Sequence, residues 1–149
     1  MKSALLASLF AAALCWQAPA HAGVQVGVGL VDEIDGEGSV LGTVAWLTGQ
    51  KHPYEFIVGY FDARTDPAIH TPGTVWISAS KRFTWRGWFA QGGIAWADAD
   101  NEVLSEHFQF QTGAGYDFGR VSLSLRHLSN ANTGGRNRGE TFLLLDYGF

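Results

Sequence analysis

The chain has 149 residues, of which 10 are Lys or Arg and 14 are Asp or Glu, giving a net charge of −4 at pH 7. This acidic balance argues against a nucleic-acid partner, because domains that bind nucleic acids carry basic patches. The single cysteine, Cys15, lies near the N-terminus, so the chain beyond it offers no disulfide, thiolate metal site or cysteine nucleophile.

The first 22 residues have the features of a secretory signal peptide. Lys2 supplies the positive charge, the run from Ala4 to Trp16 is uncharged and mostly apolar, and Ala20-His21-Ala22 is a small-x-small cleavage site. We therefore expect residues 1–22 to be removed and residues 23–149 to form one domain. Beyond residue 22 no run approaches about 18 consecutive apolar residues, so no membrane-spanning helix is predicted.

Segments in which apolar and polar residues alternate recur along the rest of the chain, separated by turn residues. The predicted strands are 24–32, 39–48, 53–62, 74–83, 86–98, 104–117, 119–130 and 140–149. Most have about the 9–11 residues that a tilted strand needs to cross a bilayer, and an even number fits a closed bacterial barrel. The short turns are then 49–52, 84–85 and 118–119, and the longer loops are 33–38, 63–73, 99–103 and 131–139.

One face of each predicted strand is apolar, and the other is polar or glycine. In the third strand the apolar row contains Phe56 and Val58, whereas Glu55 and Gly59 lie on the opposite face. The last strand ends its apolar row on Phe149, as the C-terminal insertion signal of bacterial outer-membrane barrels does. With the signal peptide, this favours lipid on the apolar side. The predicted fold is all-β, an eight-stranded antiparallel transmembrane β-barrel of the bacterial outer membrane.

Polar residues of the types that catalyse reactions lie at the end of the seventh predicted strand. Its apolar row, which includes Leu125, continues into His127 and Ser129, whose Cα atoms would lie about 7 Å apart on one face. By parity that face meets lipid, where a polar pair is costly unless it lies at the interface or has a function. Counted from Gly119, the pair lies about 20–25 Å up the barrel, near the rim where acyl chains join their head groups by ester bonds.

A longer motif surrounds this pair. The segment Arg126-His127-x-Ser129-Asn130-Ala131, followed by Asn137-x-Gly139-Glu140 and a short last strand, resembles the outer-membrane lipid A 3-O-deacylases, the PagL family. The resemblance is specific in residues 126–149 and extends over the mature chain in length and layout. It implies an external serine-hydrolase site on an eight-stranded barrel, which removes the ester-linked acyl chain at position 3 of lipid A in lipopolysaccharide.

The resemblance also implies roles for individual residues. Ser129 would be the nucleophile, His127 the general base and acid, and Glu140 the carboxylate that orients His127. Asn137 would donate to the oxyanion, helped by backbone N–H groups near Asn130. The chemistry requires these parts, since a serine needs a base, the base an orienting group and the oxyanion preorganised donors. Counted along the last strand, Glu140 has inward parity, so a bulge or the loop-to-strand junction must turn it toward His127.

We expect no cofactor and no metal, because the acidic residues at 32–37 and 98–102 do not have the spacing of a calcium-binding loop. The expected partners are lipid A in the outer leaflet and membrane lipid, without nucleic acid, and a homodimer is left open. Arg126 has inward parity and is expected to pair with Asp146 or Glu55 in the lumen.

Four alternatives to this function are considered. A non-enzymatic outer-membrane barrel, adhesive or membrane-stabilising, would not need His127 and Ser129. An outer-membrane phospholipase would release a glycerophospholipid chain, and an acyltransferase would yield an acylated product. A soluble lipocalin-like or avidin-like carrier would fractionate without detergent, which the lipid-facing parity argues against.

Overall fold

The computed structural model describes residues 22–34, 37–65, 70–101, 103–134 and 138–149. The strands in these ranges are β1 (Gly23–Ile34), β2 (Glu37–Leu47), β3 (Tyr54–Phe61), β4 (Arg64–Thr65), β5 (His70–Thr71), β6 (Thr74–Trp85), β7 (Trp88–Ala97), β8 (Phe108–Asp117), β9 (Val121–Ser129) and β10 (Glu140–Gly148). None of the described residues belongs to a helix with the length and apolar character needed to span a membrane. The predicted signal peptide falls almost entirely outside the described residues and stays a prediction.

Eight strands close into one antiparallel barrel in the order β1-β10-β9-β8-β7-β6-β3-β2. The barrel closes where β1 pairs with β10, from Gln25 opposite Gly148 to Val31 opposite Phe142. Closure leaves no sheet edge, so strand amides and carbonyls find partners within the sheet, as a lipid environment requires. The predicted all-β, eight-stranded antiparallel barrel is confirmed.

The barrel has two different ends. The short connections 48–53, 86–87 and 118–120 lie at one end with residues 22 and 149, and we call this the turn end. The described parts of the longer connections lie at the opposite end, the loop end, and comprise residues 62–65, 70–73, 98–101, 103–107, 130–134 and 138–139. At the loop end β4 and β5 pair as a small separate hairpin, within the segment 63–73 that was predicted to be loop.

Two predicted boundaries were wrong. The turn expected at Thr84-Trp85 lies at Arg86 and Gly87, whose φ angles of 49° and 84° are those of a type I′ turn. This two-residue turn matches the strand twist, so β6 and β7 pair as far as Trp85 opposite Trp88. The sixth predicted barrel strand begins at Phe108 rather than residue 104. The chain before it forms a turn instead, held by the Asn101 side chain on the amides of residues 103 and 104.

Exposure alternates along the barrel strands. On β9, Leu123 and Leu125 are 39% and 57% exposed, whereas Ser124 and Arg126 are each 1% exposed. The outward row of the barrel is apolar and aromatic, and includes Val28, Leu30, Val44, Trp46, Phe56, Val58, Ile77, Ile94, Phe110, Leu143 and Leu145. This is the inverse of a soluble barrel and matches a barrel embedded in lipid.

The lumen is filled by an ionic cluster. Glu55 is fully buried and forms salt bridges to Arg82 and to Arg126, with Arg126 Nη1 2.5 Å from Glu55 Oε1. Arg126 also reaches Asp146, with Nη2 3.4 Å from Oδ2. The expectation that Arg126 pairs with Asp146 or Glu55 is confirmed, since it contacts both. Two cations and two anions therefore balance one another in a low-dielectric interior.

An aromatic layer covers this cluster on the side of the loop end. Phe61, Trp76 and Phe142 pack with ring centroids 5.5–5.8 Å apart. Leu104 and Leu128 are buried in the same core. The layer supports the base of the loops, including the chain segment that follows β9.

We predict that Glu55→Gln lowers the free energy of unfolding by about 3–5 kcal/mol, because it leaves two buried guanidinium groups with only Asp146 as a counter-charge. The measurement is urea unfolding of the refolded barrel in lipid vesicles, followed by tryptophan fluorescence. Glu37→Gln, at an exposed position of β2, is the control and should change stability by less than about 0.5 kcal/mol. Equal stability of both variants would contradict this account of the cluster.

Candidate active site

His127 and Ser129 lie at the loop end of β9 and share its outward face. Both are half-buried, whereas Leu125 below them is well exposed. His127 is the cross-strand neighbour of Thr141 on β10, and Ser129 is the neighbour of Phe110 on β8. Both side chains therefore lie on the face, and at the end of the strand, that parity predicts.

The imidazole of His127 is held by Thr141. Nδ1 of His127 lies 2.9 Å from Thr141 Oγ1. The backbone N–H of Thr141 donates to Asp32 Oδ1 at 3.3 Å. Asp32 follows Val31, which pairs with Phe142, so Asp32 and Thr141 continue the same ladder. Since Nδ1 is engaged by Thr141, Nε2 is the ring nitrogen available for Ser129.

Glu140 does not contact His127 in this arrangement. It keeps its inward parity, is 4% exposed, and pairs with Arg64 through contacts of 2.7 and 3.0 Å. Arg64 Nη2 also donates to the carbonyl of Asp32 at 3.0 Å. No bulge turns the Glu140 carboxylate outward, because β10 pairs with β9 in unbroken register from Glu140 onward. The expected contact between Glu140 and His127 is therefore not seen, because Glu140 pairs with Arg64 and Nδ1 of His127 meets the Thr141 hydroxyl instead. The role of Glu140 in orienting His127 stays a prediction.

Asn130 shapes the loop that follows the serine. Its side chain is fully buried and donates to the carbonyl of Gly134 at 2.6 Å and to Ser105 Oγ at 3.2 Å. Its Oδ1 accepts the backbone N–H of Asn132 at 2.8 Å. With its side chain committed to these partners, Asn130 can serve the site through the turn that it holds rather than through its amide.

This turn brings a backbone donor to the serine. The N–H of Ala131 donates to Ser129 Oγ at 3.1 Å. Ala131 and Asn132 both have positive φ angles, 53° and 64°, a conformation that is unfavourable for alanine and better tolerated by asparagine. Such local strain is typical of functional sites whose geometry is imposed by the surroundings. Asn137, the expected side-chain donor to the oxyanion, lies outside the described residues.

Gly139 packs against the imidazole. Its φ is +74°, and a Cβ added there would lie 2.6 Å from Cε1 and 2.8 Å from Nε2 of His127. Its N–H donates to the carbonyl of Val103 at 2.9 Å, which fixes the position of Gly139 along the barrel axis. Neither Gly139 nor Thr141 was among the site residues predicted from the sequence. The outward parity of Thr141 was the signal that could have identified it.

Comparison with known proteins identifies the family. A family model described as "Lipid A 3-O-deacylase (PagL)" matches residues 35–149. The chain belongs to the PagL family. Among solved structures, the crystal structure of the outer membrane enzyme PagL superposes with a TM-score of 0.55 and 17% sequence identity, covering 86% of this chain and 99% of that one. At this identity the likeness shows a common fold. A search of curated proteins finds no match.

Membership of the PagL family shows that the protein is an ester hydrolase of the lipid A 3-O-deacylase type. The resemblance seen in residues 126–149 is thereby confirmed. It favours the enzyme over the non-enzymatic barrel and the soluble carrier.

We predict that Gly139→Ala reduces lipid A deacylation by at least about 100-fold, because the new methyl group collides with the imidazole and the backbone must leave a left-handed conformation. The measurement is release of fatty acid from purified lipid A by the refolded variant in detergent. Gly42→Ala is the matched control, since its Cβ would meet nothing within 4 Å. Full activity of Gly139→Ala would show that His127 does not need this close contact.

Proposed function

We propose that this protein hydrolyses the 3-O-linked acyl ester of lipid A at an outward-facing site formed by Ser129 and His127, in the outer leaflet of the outer membrane. The observation that best supports the proposal is the pair itself, half-buried on the lipid-facing row with Nδ1 of His127 bonded to Thr141. Nε2 can then accept the serine proton. The apolar outer surface supports a location in the membrane, with the loop end facing outward.

In the proposed reaction, Ser129 Oγ attacks the ester carbonyl while His127 Nε2 takes its proton. The tetrahedral intermediate collapses when the C–O bond to the sugar breaks, and His127 gives its proton to the departing sugar hydroxyl. Water, deprotonated by His127, then attacks the acyl-enzyme. The C–O bond to Ser129 Oγ breaks, His127 returns the proton to Oγ, and the fatty acid leaves. Each step uses the two-way proton transfer that serine hydrolases obtain from a positioned imidazole.

The oxyanion needs donors that are in place before the reaction, each commonly worth about 3–4 kcal/mol. The N–H of Ala131, 3.1 Å from Ser129 Oγ, belongs to the turn that surrounds the nucleophile. Asn137 is proposed as the second donor, from the loop that joins β9 to β10. Asn130 supports both by holding the turn, and Glu140 supports the rim through its ion pair with Arg64.

Substrate reaches the site from the side, through lipid, in this proposal. Next to His127 along the outward rung lie Thr112 on β8 and Gly92 on β7, and below them Ala114 pairs with Ala90. All four are exposed and small. Because these side chains are small, we propose that they leave a shallow depression beside the site, where an acyl chain can lie while its ester meets Ser129.

We predict that Ser129→Ala and His127→Asn each lower kcat by more than about 1,000-fold, and that the double variant is little worse than either, because nucleophile and base act as one unit. The assay is mass spectrometry of lipid A and released fatty acid, with heat-dependent gel mobility as the test of folding. Folded Ser129→Ala with normal deacylation would refute the proposal. A glycerophospholipid product would keep the reaction class and change the substrate.

We predict that Gly92→Leu raises KM or lowers kcat/KM for lipid A by about 10-fold while hydrolysis of a short, water-soluble ester is unchanged. The added side chain meets no atom within 4 Å at its Cβ, so it should fill the depression without disturbing the barrel. Gly42→Leu, on the far side of the barrel and equally open, is the control. Equal effects on both substrates would argue against acyl binding in the depression.

A further inference from the structure

We propose that Asp32, acting through the hydroxyl of Thr141, supplies the negative charge that positions His127 and stabilises its protonated form. The inference rests on the proposed function, since it concerns the same histidine. It names a positioning residue that is remote in sequence, on β1, and that the motif in residues 126–149 does not contain.

Asp32, Thr141 and His127 lie side by side on the outward face of the neighbouring strands β1, β10 and β9, and we call this row the outward rung. β10 pairs with β9 through Thr141 opposite His127, and β1 pairs with β10 through Val31 opposite Phe142, so the next position brings Asp32 beside Thr141. The contacts agree with the register. His127 Nδ1 lies 2.9 Å from Thr141 Oγ1, and Asp32 Oδ1 accepts the Thr141 amide at 3.3 Å.

A hydroxyl alone cannot do what a carboxylate does for a catalytic imidazole. Thr141 Oγ1 can accept the Nδ1 proton and so fix the tautomer, but it brings no charge to balance the imidazolium that forms during reaction. When Oγ1 accepts from His127, its own proton needs an acceptor. The carboxylate of Asp32 already lies at the backbone of the same threonine, where it can accept that proton and supply the missing charge.

The surroundings leave Asp32 available for this role. Arg64 fixes the main chain of Asp32 by donating to its carbonyl at 3.0 Å, and Arg64 pairs its own charge with Glu140. Among the described residues, Glu33 follows Asp32 in sequence and Arg138 lies near Glu140, and both are exposed. Because Arg64 and Glu140 neutralise each other, the Asp32 carboxylate is the negative charge that lies on the outward rung of His127.

The test compares kcat and KM for lipid A among folded variants. We expect Asp32→Asn to lower kcat by about 10- to 100-fold with little change in KM, because substrate binding does not use this residue. Thr141→Val, which keeps the branched shape without the hydroxyl, should lose at least as much, and Thr141→Ser should retain most of the activity. Glu33→Gln is the matched control, since it removes a neighbouring exposed carboxylate, and it should leave kcat unchanged.

A direct carboxylate should make Asp32 dispensable. We expect Thr141→Glu to place a carboxylate on His127, so that adding Asp32→Asn to Thr141→Glu changes kcat by less than about 2-fold. The same loss from Asp32→Asn in both backgrounds would overturn the inference, as would wild-type kcat for Asp32→Asn. Retained activity of Ser129→Ala in the same series would instead overturn the proposed function.

Discussion

The backbone ladder that joins β1 to β10 is the interaction on which the rest of the structure depends. Closing it leaves no sheet edge, and it fixes for every residue whether the side chain points to lipid or to the lumen. It also brings the two ends of the chain together. Asp32 and Thr141 are 109 residues apart in sequence and become neighbours through this pairing. The surroundings of His127 therefore depend on closure of the barrel.

The alternation of inward and outward side chains along each strand was the most informative feature of the sequence. It predicted the eight barrel strands, the outward placement of His127 and Ser129, and the luminal pairing of Arg126, all of which follow from a period of two residues. At Glu140 the motif and the parity of the strand pointed to different places. The motif implied a carboxylate at the histidine, whereas the alternation already assigned Glu140 to the lumen and its successor, Thr141, to the outward face.

The features that were missed depend on neighbours distant in sequence. The hairpin of β4 and β5 has only two residues in each strand, too few for a periodic pattern. The role of Gly139 follows from its closeness to the His127 ring, which cannot be predicted from the residues that surround Gly139 in sequence. From the sequence, Asp32 is only one member of an acidic run, because the register across β10 cannot be read from β1 alone.

The filled lumen has a consequence for the cell that makes this protein. Eight strands enclose a space about wide enough for side chains alone, and here the cluster around Glu55 and the aromatic layer around Trp76 occupy it. Side chains packed in this way obstruct the lumen for ions and small solutes. Many copies can therefore reside in the outer membrane without raising its conductance or weakening it as a permeability barrier. The proposed catalysis on the outside of the wall and the packed interior are then properties of the same eight strands.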